Sequence, residues 1–97
     1  MDRPSKRVAD LMMQLSNENR LMILCALLKQ PMTVKELAVR IPDISVPAIS
    51  QHLHKLRDAG LVCCEKQAQY SRYAICDPHL HKLIALLREE YCTGEDL

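Results

Sequence analysis

Ser50, Gln51, His54 and Lys55 are spaced so that a helix would stack all four on one side. Hydroxyl, amide, imidazole and ammonium groups together donate and accept hydrogen bonds and carry positive charge. That is the chemistry needed to meet base edges and phosphates in a DNA groove. Stepping about 100° per residue from Ile49 puts Leu53 and Leu56 on the inner side and Pro47 on the outer, polar side. The plain alternative is a solvated face with no ligand. Lys66 and Arg72, on either side of Gln67-Ala68-Gln69 just downstream, add cations to the same half of the chain and favour the nucleic-acid reading.

Thiols are the second source of chemistry. The five cysteines, 25, 63, 64, 76 and 92, form no C-x-x-C pattern, so spacing alone predicts no metal site. The polar start Met1-Asp2-Arg3-Pro4-Ser5-Lys6-Arg7 lacks an apolar secretory stretch, and the run Leu21 to Leu28 is far short of the roughly 20 residues that span a bilayer. The expectation is a cytoplasmic protein with reduced thiols and no membrane partner. Cys63 and Cys64 are neighbours on an expected strand and point to opposite faces, one packing and one at the surface. Cys76 closes the next strand and is expected to be buried. Cys25 lies in an apolar stretch, where a free cysteine is a common small core residue.

The elements that would hold these groups follow from caps and periodicity. Val8, Leu11, Met12 and Leu15 mark a first amphipathic helix, about 5–15. Asn17 caps a second that runs to about Lys29 and is apolar on nearly every side, which places it centrally. Thr33 and Glu36 form a capping box for a short third helix ending at Pro42. Ser45 caps a fourth, about 46–59, with Val46 and Pro47 in its first turn and Gly60 as its stop. Leu61 to Lys66 and Tyr70 to Ile75 read as a hairpin, giving a wing of about 61–76. Asp77-Pro78 opens a last helix, about 78–92, with Leu80, Leu83, Ile84, Leu87 and Tyr91 on one side, before an acidic, loose tail from Thr93. The fold class is mainly α with a small β-hairpin, in the order α-α-α-α-β-β-α, and residues 1–97 form one domain. Two capped helices joined by a tight turn and followed by a hairpin are the pattern of a winged helix-turn-helix.

Composition agrees with that architecture. Apolar residues make up 48% of the 97, yet Phe and Trp are absent, so the core is aliphatic and favours helices. Net charge is only +1, but residues 45–73 hold four Lys/Arg against two Asp/Glu, while residues 77–97 hold two against five. The segments expected at DNA are the basic ones. With two glycines no phosphate-binding loop can form, and no Ser/His/acid or Cys/His spacing suggests a triad, so an enzyme is not expected.

Leu15 to Leu24, Thr33 to Ala38 and Ser50 to Val62 together resemble the ArsR/SmtB family of bacterial repressors across almost the whole chain. The resemblance implies a homodimer through the first and last helices. It also implies double-stranded operator DNA contacted by Ser45, Pro47, Ser50, Gln51, His54 and Lys55, with Lys66 and Arg72 on the wing. Val46 and Pro47 stand where relatives usually carry Gln and Ser, and Pro42-Asp43 lengthens the turn. Cys25 and Cys92 are similar to the paired cysteines of the BigR/SqrR/HlyU-like group, which implies operator control by thiol oxidation or persulfide chemistry without a cofactor. Asp77-Pro78-His79 resembles half of the family's zinc-type site, with Glu90 near the end of the same helix. A response to zinc or another divalent metal is therefore the alternative, and a winged-helix interaction module without DNA binding is a third reading.

Overall fold

The computed structural model describes residues 3–92, so the expected loose tail from Thr93 lies outside the described residues. Along the chain come α1 (Pro4–Leu15), α2 (Glu18–Leu27), α3 (Val34–Arg40), α4 (Val46–Asp58), β1 (Val62–Gln67), β2 (Tyr70–Ile75) and α5 (Pro78–Tyr91). This is the winged helix-turn-helix order. Helix α2 stops at Leu27, two residues before the expected Lys29, and β1 runs one residue later at each end than expected. Among the described residues, no helix is long and apolar enough to cross a membrane.

The caps are local and work as their residue types dictate. The Asn17 side chain accepts from the Arg20 N–H, and that of Ser45 from the Ala48 N–H. Thr33 and Glu36 complete a reciprocal capping box. Helix α4 ends in a Schellman motif: the Gly60 N–H donates to Arg57 O and the Leu61 N–H to Leu56 O, both at 2.9 Å. Gly60 holds φ at +79°, a conformation that costs a residue with a Cβ. Leu61 and Leu56 are both buried beside it.

Helix α2 lies at the centre, with Ile23, Leu24, Cys25, Ala26 and Leu27 buried in succession. Around it pack Leu37, the α4 stripe Ile49, Leu53 and Leu56, then Val62, Tyr73, Leu80 and Ile84, in one hydrophobic cluster. The hairpin pairs antiparallel from Val62↔Ile75 to Gln67↔Tyr70, closed by the two-residue turn Ala68-Gln69. Ala68 takes φ +56°, alone among the described non-glycine residues, with the sign pattern of a II′ turn. A third backbone segment joins the wing. Met32 and Tyr73 exchange N–H···O bonds of 3.0 and 2.8 Å, which pins the hairpin base to the start of the helix-turn-helix.

Helix α1 leaves most of its expected amphipathic stripe uncovered within the chain. Of Val8, Leu11, Met12 and Leu15 only Leu15 is buried, and Val8 and Met12 are 55% and 44% exposed.

Candidate nucleic-acid interface and thiol sites

Helix α4 turns Ile49, Leu53 and Leu56 fully inward, at 0% exposure. Its other side is open: Pro47, Gln51, His54 and Lys55 are exposed and Ser50 is half-buried. Ser45, the cap, is exposed at the amino end. The face is polar because its apolar counterpart is consumed by α2 and α3. A helix of 13 residues with one polar face open to solvent is shaped for a major groove about 12 Å wide.

His52, at the border of that face, does more than pack. Its Nδ1 accepts a 3.3 Å hydrogen bond from Arg20 Nε, while Arg20 Nη1 donates to the Gln14 carbonyl and side-chain oxygens at 3.2 and 3.0 Å. One guanidinium thus ties α4 to the end of α1. Burial first, then the charges of Arg20 and Lys55, lower the His52 pKa, so the neutral acceptor form prevails at neutral pH.

Of the two wing cations, Lys66 is exposed, whereas Arg72 is engaged. Its Nη1 lies 3.0 Å from Glu36 Oε1, the same oxygen that accepts from the Thr33 N–H. The expected wing cation thus also forms a solvent-accessible ion pair with the capping box of α3. Thr33's backbone N–H is the largest influence holding the Glu36 carboxyl below its ordinary value, with Arg72 adding to it and desolvation opposing.

Cys25 is buried in α2, and Cys92, half-buried, caps the far end of α5. They are near enough for Cys92 to act on Cys25: burial first, then the Cys92 charge, raise the Cys25 pKa, and Arg88 opposes. Cys25 therefore holds its proton at neutral pH.

The remaining thiols are divided. Cys64 lies partly under the core beside Tyr73, its cross-strand neighbour. Cys63 is exposed, as one of the two was expected to be. Cys76 is also exposed, against the expectation of burial, because β2 ends at Ile75 and the chain turns outward into α5.

The metal alternative finds Asp77 occupied. Its Oδ1 accepts from the His79 N–H at 2.9 Å, capping α5. Glu90 lies 13 residues along the same helix, about 20 Å away, so these three could share an ion only through a second chain. Among the described residues no three ligand-type side chains gather.

Sequence reasoning missed the Arg20–His52 joint, the Met32–Tyr73 bridge and the Arg72–Glu36 clamp. Each joins residues more than 30 positions apart, and no local pattern announces them.

A helix-turn-helix with a free second helix and a hairpin beside it defines a winged helix-turn-helix DNA-binding regulator. The comparisons carry this to a family. Residues 17–63 match "Bacterial regulatory protein, arsR family". The chain is 39% identical over 94 residues to the transcriptional activator HlyU of Vibrio cholerae, covering 97% of this chain and 86% of that one. The solved structure of reduced HlyU superposes with a TM-score of 0.85 over 92% of this chain and 93% of that one. The transcriptional repressor BigR from Xylella fastidiosa gives 0.83 at 30% identity, over 92% and 90%. The homodimeric winged helix-turn-helix DNA-binding domain of Mb0332 from Mycobacterium bovis gives 0.76 at 26%, over 87% and 77%. The chain belongs to the arsR family of bacterial regulatory proteins and is a DNA-binding transcriptional regulator.

Proposed function

We propose that residues 1–97 act as one homodimeric, operator-binding domain whose grip on DNA is set by sulfur chemistry at Cys25 and Cys92. The observation that carries the DNA half is the open face of α4, polar opposite a stripe that is wholly buried. Gln51 and Ser50 read base edges, Ser45, Pro47 and His54 line the approach, and Lys55 and Lys66 meet phosphates. Arg72 sets the wing through Glu36 and exchanges that carboxylate for a phosphate on contact. Two copies joined through α1 and α5 set two α4 helices about one DNA turn apart, roughly 34 Å. Val8, Met12, Met13, Leu86 and Tyr91 are exposed apolar side chains on those two helices, and homodimeric Mb0332 supports the same assembly. The thiol half is supported by α2 and α5 packing against each other, with Cys25 in one and Cys92 at the end of the other, and by the likeness to HlyU, whose reduced form has been solved. Joining them, directly or through added sulfur, moves one dimer helix against the central helix and so changes the spacing of the two α4 helices.

The test is titration of a duplex, selected from random sequence by the wild-type protein, at several salt concentrations. Lys55→Ala weakens binding to all sequences alike and lowers the salt slope by about one per lost phosphate contact. In a chain whose exposed Cys63 is already serine, Cys25→Ser and Cys92→Ser leave affinity intact but abolish its response to peroxide or inorganic polysulfide. A wild-type salt slope near zero would remove the DNA reading, and a response surviving both serines would remove the sensing pair.

A further inference from the structure

We propose that Cys63 and Cys76 form a second oxidisable dithiol, at the base of the wing, that closes into an intramolecular disulfide when a hydroperoxide reacts with it. The strand register brings them together. Cys63 stands opposite Ala74; Cys76, two residues further on, returns to the same side of the ribbon, one diagonal step from Cys63. Both thiols are exposed. The Cys63 thiol donates to the Ala74 carbonyl oxygen at 3.7 Å, which turns it toward the strand that Cys76 continues. Neighbouring Cys64 faces the other way, toward Tyr73, and Cys25 is buried in α2. The pair is thus separate from the one discussed above, and its test does not depend on that reading.

The neighbouring Cys76 thiol is the main reason the Cys63 thiol is pushed up to about 11, with burial and the charges of Cys64 and Glu65 adding to it. Cys63 has its thiol turned onto the Ala74 carbonyl, which leaves the first attack to the exposed Cys76. The Cys76 sulfur attacks the terminal peroxide oxygen. The O–O bond breaks, an alcohol (or water) leaves carrying the thiol's proton, and Cys76 becomes a sulfenic acid. The Cys63 sulfur then attacks the Cys76 sulfur. The S–O bond breaks and hydroxide departs as water with the Cys63 proton. Two thiols are oxidised by two electrons, and one hydroperoxide is reduced to an alcohol and water.

Distance sets how far the pair must move to close. A disulfide needs Cα atoms within about 7 Å, and diagonal positions in a regular ladder stand about 7–8 Å apart. The ladder ends at Val62↔Ile75, so Cys76 lies just outside it, and Leu61 opposite spends its N–H on Leu56 O. Closing the last gap breaks no ladder hydrogen bond. The bond would fasten β1 to the residue before Asp77, the cap of α5. The angle between wing and α5 would then be covalently held.

The test treats the full chain carrying Cys25→Ser, Cys64→Ala and Cys92→Ser with one equivalent of hydrogen peroxide and measures intact mass and protease-derived peptides. The expected result is a loss of two hydrogen atoms, no covalent dimer, and a dithiothreitol-reversible link between the peptides holding Cys63 and Cys76. Adding Cys63→Ser should leave a sulfenic acid on Cys76 that dimedone traps. In parallel, the wild-type chain is mapped, with fragmentation between Cys63 and Cys64 assigning the sulfur. This covers the possibility that the substituted chain folds poorly. An unchanged mass in both chains, links between chains only, or overoxidation of Cys76 without a link to Cys63 would overturn the proposal.

Discussion

Helices α4 and α5 are near twins at the level of sequence design and opposites at the level of surface. They have 13 and 14 residues, each carries proline in its first turn, and each begins at a side-chain cap, Ser45 or Asp77. Helix α4 buries Ile49, Leu53 and Leu56 completely and shows water Gln51, His54 and Lys55. Helix α5 buries only Leu80 and Ile84, leaves Leu83 and Leu87 partly covered, and exposes Leu86 at 54% and Tyr91 at 83%. Helix α4, apart from Val46 in its first turn, has its large apolar side chains covered within the chain and keeps a polar face. The other has apolar surface left over. The first arrangement suits a polar, charged ligand, and the second suits another apolar face.

The largest effect that could break this contrast is in the α4 stripe. Leu53→Ala should destabilise the fold by about 2–5 kcal/mol, since a fully enclosed site cannot collapse around the lost methyls. Half-covered Leu83→Ala should cost less, as read by thermal or urea unfolding. Equal losses would mean that α5 is as fully packed as α4.

Next comes the surface of α5 itself. Leu86→Glu should leave helix content unchanged but shift sedimentation from dimer to monomer. Operator affinity should fall about a hundredfold or more, since half-site contacts of about 1–3 kcal/mol each are no longer held together. A variant that stays dimeric would move the interface elsewhere. The turn between β1 and β2, midway between the two helices, gives a smaller and opposite effect. Ala68→Gly relieves a positive φ and should stabilise by about 1 kcal/mol without changing DNA specificity.

The smallest effect lies at the border of α4. The lowered His52 pKa means the unfolded chain takes up a proton near pH 6.5 that the folded chain resists. Stability from this residue is complete above that pH and is lost as the pH falls toward the lower folded value. His52→Asn, which keeps an acceptor for Arg20, should flatten the acid side of the stability profile by less than about 1 kcal/mol, because the site is partly solvated. An unchanged profile would mean that His52 takes up its proton alike in the folded and unfolded chain.

Much of this molecule is legible without coordinates, and the reason differs by element. Thr33 and Glu36 are three residues apart, so their capping box depends only on local geometry. The stripe Ile49, Leu53, Leu56 obeys helical period, and its polar complement on α4 follows by subtraction. The hairpin was legible in outline, yet its consequence for Cys76 was not drawn. With the turn at Ala68-Gln69, the register already implies that Cys63 and Cys76 share a side. Arg72 shows the opposite situation: nothing near it in the chain predicts that Glu36 will hold it.

Taken alone, the amino-acid order determined where helices start and stop, which side of each is apolar, and that basic residues gather in the α4 and wing half. Those properties arise from interactions spanning a few residues, so composition and spacing suffice to set them. Only the tertiary structure decided which cation is clamped, which thiols meet, that Met32 joins the wing, and that α1 and α5 keep uncovered apolar surface. These depend on surfaces brought together from distant parts of the chain, where packing selects among partners that sequence distance treats alike.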